Sequence, residues 1–245
     1  ETTSCETSRS RSASSKRAIA FMCDERWKKH HAFVDIGIKR TSFIHVSDII
    51  TLDSPGREDR SRAPENITDY LHDGKKIIVQ VTRDPIGSKG ARLTTRLSMS
   101  TRYLVLLPQT DHMGVSQQIE DPLERARLQQ VLAQAQADED KRDTGGFIVR
   151  TAAEGVGSEE LAADLRYLRR LWVAVSRRGK AATQVELLYE DLPLHLRVVR
   201  DLARPSVERI YVDNHESFAL LQEFCGDYVP EVAALLEFYS GDRPL

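Results

Sequence analysis

The chain has 245 residues, 40% of them hydrophobic and 29% charged, with a formal net charge of −2. That length and apolar share suit one large domain or two to three small ones. The near-neutral balance excludes a molecule that is basic all over, so any nucleic-acid contact must be a local patch. Cys5, Cys23 and Cys225 form no C-x-x-C pair, which argues against a disulfide framework and a zinc site and suits a reducing compartment. No apolar run approaches the roughly 18 residues of a membrane span.

Thr, Ser and Arg dominate Glu1–Arg17. Residues 1–31 are therefore expected to be a disordered or aberrant leader. A transit peptide is the alternative, weakened by Glu1, Glu6, Asp24 and Glu25. Apolar alternation begins at Ala32 and predicts strands over residues 32–38 and 41–46, joined by a short basic turn at Lys39-Arg40. A polar loop over 53–66 and a short helix over 67–71 follow. Three more strands are predicted at 77–82, 91–97 and 103–107. Short strands, polar turns and one small helix fit a small β-barrel of the OB type. Arg83, Lys89, Arg92, Arg96 and Arg102 fall within twenty residues against one acid, Asp84. A basic hairpin of that kind suits a polyanion such as RNA, or is an ordinary solvated surface.

The second half reads as helical. Asp121-Pro122-Leu123-Glu124 carries an N-cap, a proline at N1 and a glutamate at N3, which predicts a helix to about Ala137. A strand is expected at Phe147–Arg150. Ser158 is the expected cap of a helix with the apolar stripe Leu161, Leu165, Leu168, Leu171, Trp172 and Val175, ended by Gly179. Shorter elements are expected at 185–188 (strand), 193–202 (helix), 209–212 (strand) and 217–225 (helix), with a last short helix after Pro230. Gly155 and Gly157 do not have P-loop spacing and read as a turn. Asp191, Asp201, Asp213 and Glu216 have no spacing that demands a metal, and the seven histidines form no ligand pattern.

Ala32-Phe33-Val34-Asp35-Ile36-Gly37, Ser42–Ile49, Ile78–Leu107 and the run Gly145-Gly146-Phe147-Ile148-Val149-Arg150-Thr151-Ala152-Ala153-Glu154-Gly155-Val156-Gly157 carry a resemblance. Over about residues 32–245 the chain resembles the ribonuclease E/G family of endoribonucleases. Arg150-Thr151-Ala152-Ala153-Glu154-Gly155-Val156-Gly157 makes it more similar to the ribonuclease G branch. The resemblance implies an α+β chain in three parts. These are an incomplete S1-type OB barrel over 32–99, a sensor region for the RNA 5′ end over 100–196, and part of a ribonuclease-H-like subdomain over 197–245.

It also implies roles. Phe43 would stack a base of single-stranded RNA, with Lys89 in the Gly-Ser-Lys-Gly loop and Arg92 contacting phosphates. Gly87 and Gly90 would let a phosphate approach the backbone. Arg150 and Thr151 would grip a 5′-monophosphate, helped by backbone groups of Thr101 and Val105. Arginine offers a planar fork for two phosphate oxygens, and threonine adds a hydroxyl. The family's catalytic aspartate pair and its Mg2+ would lie beyond residue 245, and its cysteine zinc link further still. No catalytic or metal-binding residue is therefore expected here, nor the family's tetramer. The match starts and stops mid-fold, as in a truncated product. The implied parent is an endoribonuclease of ribosomal RNA processing or messenger RNA decay in the cytoplasm, or in an organelle if the leader is a transit peptide. A stand-alone, non-catalytic RNA-binding module is the alternative.

Overall fold

A computed structural model describes residues 17–23, 30–50, 52–53, 57–58, 66–72, 74–87, 89–137, 145–202 and 207–241. In chain order the first elements are β1 (Arg17–Cys23), β2 (His31–Asp35), β3 (Ser42–His45), β4 (Leu52–Asp53), β5 (Arg57–Glu58), β6 (Lys76–Arg83), β7 (Arg92–Thr94), β8 (Met99–Ser100), β9 (Leu104–Leu107) and β10 (Met113–Val115). Then come α1 (Pro122–Ala137), β11 (Gly146–Val149), α2 (Ser158–Ala181), β12 (Glu186–Glu190), α3 (Leu194–Leu202), β13 (Ile210–Val212), α4 (His215–Tyr228), α5 (Pro230–Ala233) and β14 (Leu236–Phe238). The protein is thus mixed α and β. It divides into two compact units. The first draws on Glu1–Ile49, Ala63–Thr95 and Ala182–Asp191, and the second on the rest.

Period-two alternation builds the first unit. Ala32 and Val34 of β2, and Ser42 and Ile44 of β3, are buried, while their neighbours His31, Phe33, Phe43 and His45 are half-buried. Strand pairing runs β1-β2-β3-β7-β6 and returns to β1, so the sheet curls on itself. The β3–β7 pairing is parallel and the others are antiparallel. Ala32, Val34, Ile44, Ile67, Val79 and Leu93 are fully enclosed in its core. Such burial contributes roughly 1.5–3 kcal/mol for each large aliphatic side chain.

The expectation of no regular structure through residue 31 does not hold at Arg17–Cys23. There β1 pairs with β6 along one edge and with β12 and β2 along the other. Its sequence, Ala18-Ile19-Ala20-Phe21-Met22-Cys23, is a continuous apolar run, the pattern of a strand flanked on both sides rather than an alternating one. Residues 1–16 and 24–29 of the expected leader lie outside the described residues, as do Ser88 and most of the polar loop expected at 53–66. Of that loop, Asp53 belongs to β4 and Arg57-Glu58 form β5, the two pairing antiparallel.

In the second unit the sheet order is β10-β11-β9-β8, with β10–β11 parallel. Leu104, Leu106, Phe147 and Val149 are buried, α2 packs on β9, and the stripe expected of α2 is buried except at the half-buried Trp172. Asp121 caps α1 as its sequence predicts, its Oδ1 accepting the Leu123 N–H at 3.0 Å. The cap of α2 is Gly157 rather than Ser158. The Gly157 carbonyl accepts the Leu161 N–H at 3.4 Å, and its own N–H donates to Glu160 at 2.9 Å. Glu160 thus supplies the returning half of a capping box. Gly179 does not end α2, which runs on to Ala181. One glycine costs a helix only about 1 kcal/mol, and Arg178 and Lys180 complement the dipole of the last turn. The short strands β8, β10 and β14 were not expected. At two or three residues each, they are defined by their partners rather than by local pattern.

Candidate functional site

The register of the first unit assembles an aromatic and basic face. Phe43 on β3 lies opposite Phe33 on β2 and Arg92 on β7. One row along, His31 lies opposite His45. The His31 ring is 6.3 Å from that of Phe43 and 4.7 Å, edge-on, from that of His45, and His30 lies 6.4 Å from His45. His45 Nδ1 accepts the Ser47 N–H at 3.1 Å, which caps a short 3-10 turn over Val46–Asp48 and fixes the ring. The histidines and Phe33 were not among the expected site residues. The alternation in His31-Ala32-Phe33-Val34 signals their shared face, but the cross-strand partner is not local.

Arg92 is not a loose surface cation. Its Nε and Nη2 both donate to Asp48 Oδ2, at 3.0 and 2.9 Å. That pairing sets the guanidinium at the edge of the Phe43 row. Lys89 is exposed in the β6–β7 loop, and its backbone N–H is used by the turn, donating to the Ile86 carbonyl at 3.0 Å. The two loop glycines have different tasks. Gly87 takes φ +57° in open space. Gly90 is where backbone meets backbone, since a Cβ there would lie 1.9 Å from the Thr41 carbonyl oxygen. The close approach at Gly90 in this structure is one of chain to chain. With Arg40 donating to the Gly87 carbonyl, this contact docks the Lys89 loop beside the start of β3.

In the second unit, Arg150 and Thr151 follow the end of β11. The Arg150 backbone N–H donates to the Tyr103 carbonyl at 2.8 Å, and its guanidinium donates to the Thr101 carbonyl. Thr151 opens a 3-10 turn and donates its hydroxyl to Gln118 Oε1 at 3.1 Å. Arg150, Thr151 and Thr101 therefore meet. Val105 lies inside the sheet, paired with Ser100 on one side and Ile148 on the other. The Thr101 N–H is likewise committed, to the Leu104 carbonyl at 2.9 Å.

Two carboxylates brace this end. Glu124 Oε1 accepts the Gly155 N–H at 2.9 Å, and both its oxygens accept from Arg127 at 2.6 and 2.7 Å. The Arg127 bond and the Gly155 amide hold the Glu124 carboxyl down at about 2. Asp164, buried on α2, accepts the Thr101 hydroxyl at 2.5 Å and the Tyr103 N–H at 3.0 Å. Burial pushes its carboxyl up, against those two bonds and the positive charge of Arg200. A separate cleft of about 830 Å³ is lined by Arg166, Arg170, Arg177, Leu220, Glu223 and Tyr228, and contains none of the expected site residues. Among the described residues no group of three or more His, Cys, Asp or Glu is arranged to hold a metal ion, and no helix is long and apolar enough to cross a membrane.

The model of the ribonuclease E/G family matches residues 98–245, and the chain belongs to that family. Ribonuclease G of Escherichia coli strain K12 is 44% identical over 216 residues, which are 87% of this chain and 43% of the relative. Ribonuclease G of Haemophilus influenzae is 38% identical over the same shares. Ribonuclease E of Escherichia coli K12 is 31% identical over 87% of this chain and 20% of its own length. The chain therefore spans less than half the length of these relatives. A chain of the a/eIF2alpha-aDim2p-rRNA complex from Pyrococcus horikoshii aligns over 86% of this chain and 94% of that one. Its identity is 17% and its TM-score 0.25, too low to establish a common fold.

Proposed function

We propose that this chain is the RNA-recognition part of a ribonuclease E/G-type endoribonuclease, acting in ribosomal RNA processing or messenger RNA decay in the cytoplasm. In this reading the first unit is an S1-type OB module. Single-stranded RNA lies across Phe33, Phe43 and Arg92, with Lys89 on a phosphate. The five-strand pairing order with a parallel β3–β7 step supports this, because a small curled barrel with one wetted aromatic face suits base stacking. The second unit supplies a 5′-end sensor, followed from about residue 197 by the start of a ribonuclease-H-like subdomain.

The observation that carries the reading is the convergence of Arg150, Thr151 and Thr101 at one end of β9 and β11. A guanidinium has five N–H donors. With one bond given to the Thr101 carbonyl, the fork is oriented and can still take phosphate oxygens. Charge-assisted bonds of this kind contribute roughly 1.5–3 kcal/mol each. The test compares binding of one unstructured oligonucleotide with a 5′-monophosphate or a 5′-hydroxyl. The monophosphate is expected to bind more tightly, and Arg150→Ala is expected to abolish the difference. Equal affinities in the unsubstituted, folded chain would remove the 5′-sensing role.

Phosphodiester cleavage needs a metal to stabilise charge and orient water, and carboxylates to hold it. Among the described acids, Asp201 is engaged by Arg200 at 2.7 and 3.1 Å. The Mg2+-dependent step is assigned to the part of the relatives that this chain does not span. Incubation with Mg2+ and 5′-monophosphate RNA is expected to leave the RNA intact. Cleavage that follows the protein through a sizing column would overturn that assignment.

A further inference from the structure

We infer that Asp164 is a positioning residue for the 5′-phosphate site, acting on Arg150 through Thr101 and Tyr103. The inference rests on the 5′-sensing reading above and deepens it. Arg150 is anchored by two carbonyls, that of Tyr103 through its backbone N–H and that of Thr101 through its guanidinium. Asp164 grips the other side of the same two residues. A single oxygen, Oδ2, accepts the Thr101 hydroxyl and the Tyr103 N–H. Thr101 is 1% exposed and Asp164 9%, so this clamp is internal and water does not replace it.

A second helix braces the same segment. The side chain of Arg200 on α3 is only 6% exposed. It pairs with Asp201 and reaches the Ser100 carbonyl at 3.4 Å. Arg102 donates to the Asp201 carbonyl at 3.3 Å. The backbone from Ser100 to Tyr103 is thus held from α2 and α3, and Arg150 leans on it. A buried carboxylate is costly in such a place unless its lone pairs are used. Here one oxygen accepts both a hydroxyl and a backbone N–H. Without it the Thr101 carbonyl loses its fixed direction, and the guanidinium loses its aim at the incoming phosphate.

The experiment measures the ratio of 5′-monophosphate to 5′-hydroxyl affinity in the full chain and in four variants. Asp164→Ala removes the acceptor, and Thr101→Val removes the hydroxyl at nearly constant shape. Asp164→Asn keeps an acceptor oxygen, and Arg150→Ala removes the proposed phosphate ligand. Asp164→Ala and Thr101→Val are expected to lower the ratio about five- to tenfold, with the 5′-monophosphate affinity falling by more than the 5′-hydroxyl affinity. Asp164→Asn is expected to retain most of the ratio. A merely structural role would lower both affinities together and leave the ratio intact. If Asp164→Ala does not fold, Thr101→Val against Asp164→Asn decides alone. A ratio lost in Arg150→Ala but kept in Thr101→Val and in any folded Asp164→Ala overturns the inference and leaves the 5′-sensing reading standing. No preference in the unsubstituted chain overturns both.

Discussion

Asp48 holds Arg92 across 44 residues of chain, its Oδ2 taking two guanidinium N–H bonds at 2.9 and 3.0 Å, while its backbone carbonyl accepts the hydroxyl of Thr94 at 2.9 Å. One residue of the 3-10 turn after β3 thus sets the outer charge of β7. It does so in the row that holds Phe33 and Phe43, where the proposed RNA path runs.

Removing that acid changes binding more than stability. The pair is partly exposed, with side-chain exposures of 39% and 21%, so its loss costs at most about 1 kcal/mol. Asp48→Asn is expected to shift the melting temperature by a few degrees or less. It should tighten single-stranded RNA binding at low salt, because a negative charge leaves the face. Weaker RNA binding in a variant of unchanged stability would show that the pair must stay intact to orient Arg92.

Phe43 and Lys89 should separate in their salt response. Stacking of one base contributes roughly 1–3 kcal/mol and involves no counterion. Phe43→Ala is therefore expected to weaken binding about five- to hundredfold at every salt concentration. Lys89→Ala is expected to weaken binding less, and to flatten the log–log salt dependence by about one phosphate contact. Anisotropy titrations at several salt concentrations distinguish the two. Parallel curves for both variants would contradict the assigned roles.

Glu124 gives a pH signature. Its carboxyl lies at about 2 in the folded chain against an ordinary 4.5. A depressed acid contributes stability that is fully present above its ordinary value and is lost as pH falls toward the folded value. The difference in melting temperature between the unsubstituted chain and Glu124→Gln is expected to hold from pH 7 down to about 4.5, then shrink toward pH 2. A difference that stays constant over that range would assign the effect to packing rather than to charge.

Gly90 should tolerate no side chain. A Cβ there meets the backbone of Thr41, which cannot rotate away, whereas one at Gly74 meets nothing within 4 Å. Gly90→Ala is expected to destabilise by about 1–3 kcal/mol, as overpacking does, and to weaken RNA binding by displacing the Lys89 loop. Gly74→Ala should cost only the strain of its positive φ, about 1 kcal/mol. Denaturant unfolding of both variants checks the order.

What the sequence alone determined is what local period and caps can encode. Ala32, Val34 and Ile44 mark a buried face by alternation. Asp121-Pro122 marks a helix start, and the stripe from Leu161 to Val175 marks a packed helix. The Gly145–Gly157 run carried the family resemblance and, with it, Arg150 and Thr151. Tertiary structure decided the rest, because the decisive partners lie far along the chain. β1 falls inside the leader expected from the sequence, and its strand edges are paired by residues 76–80 and 186–190. His31 acquires a role only when the register sets it opposite His45. Asp164 looks like one acid on a helix until the fold brings Thr101, 63 residues away, within 2.5 Å. Periodicity is a property of neighbours in sequence, whereas a buried carboxylate is defined by the donors that the chain returns to it.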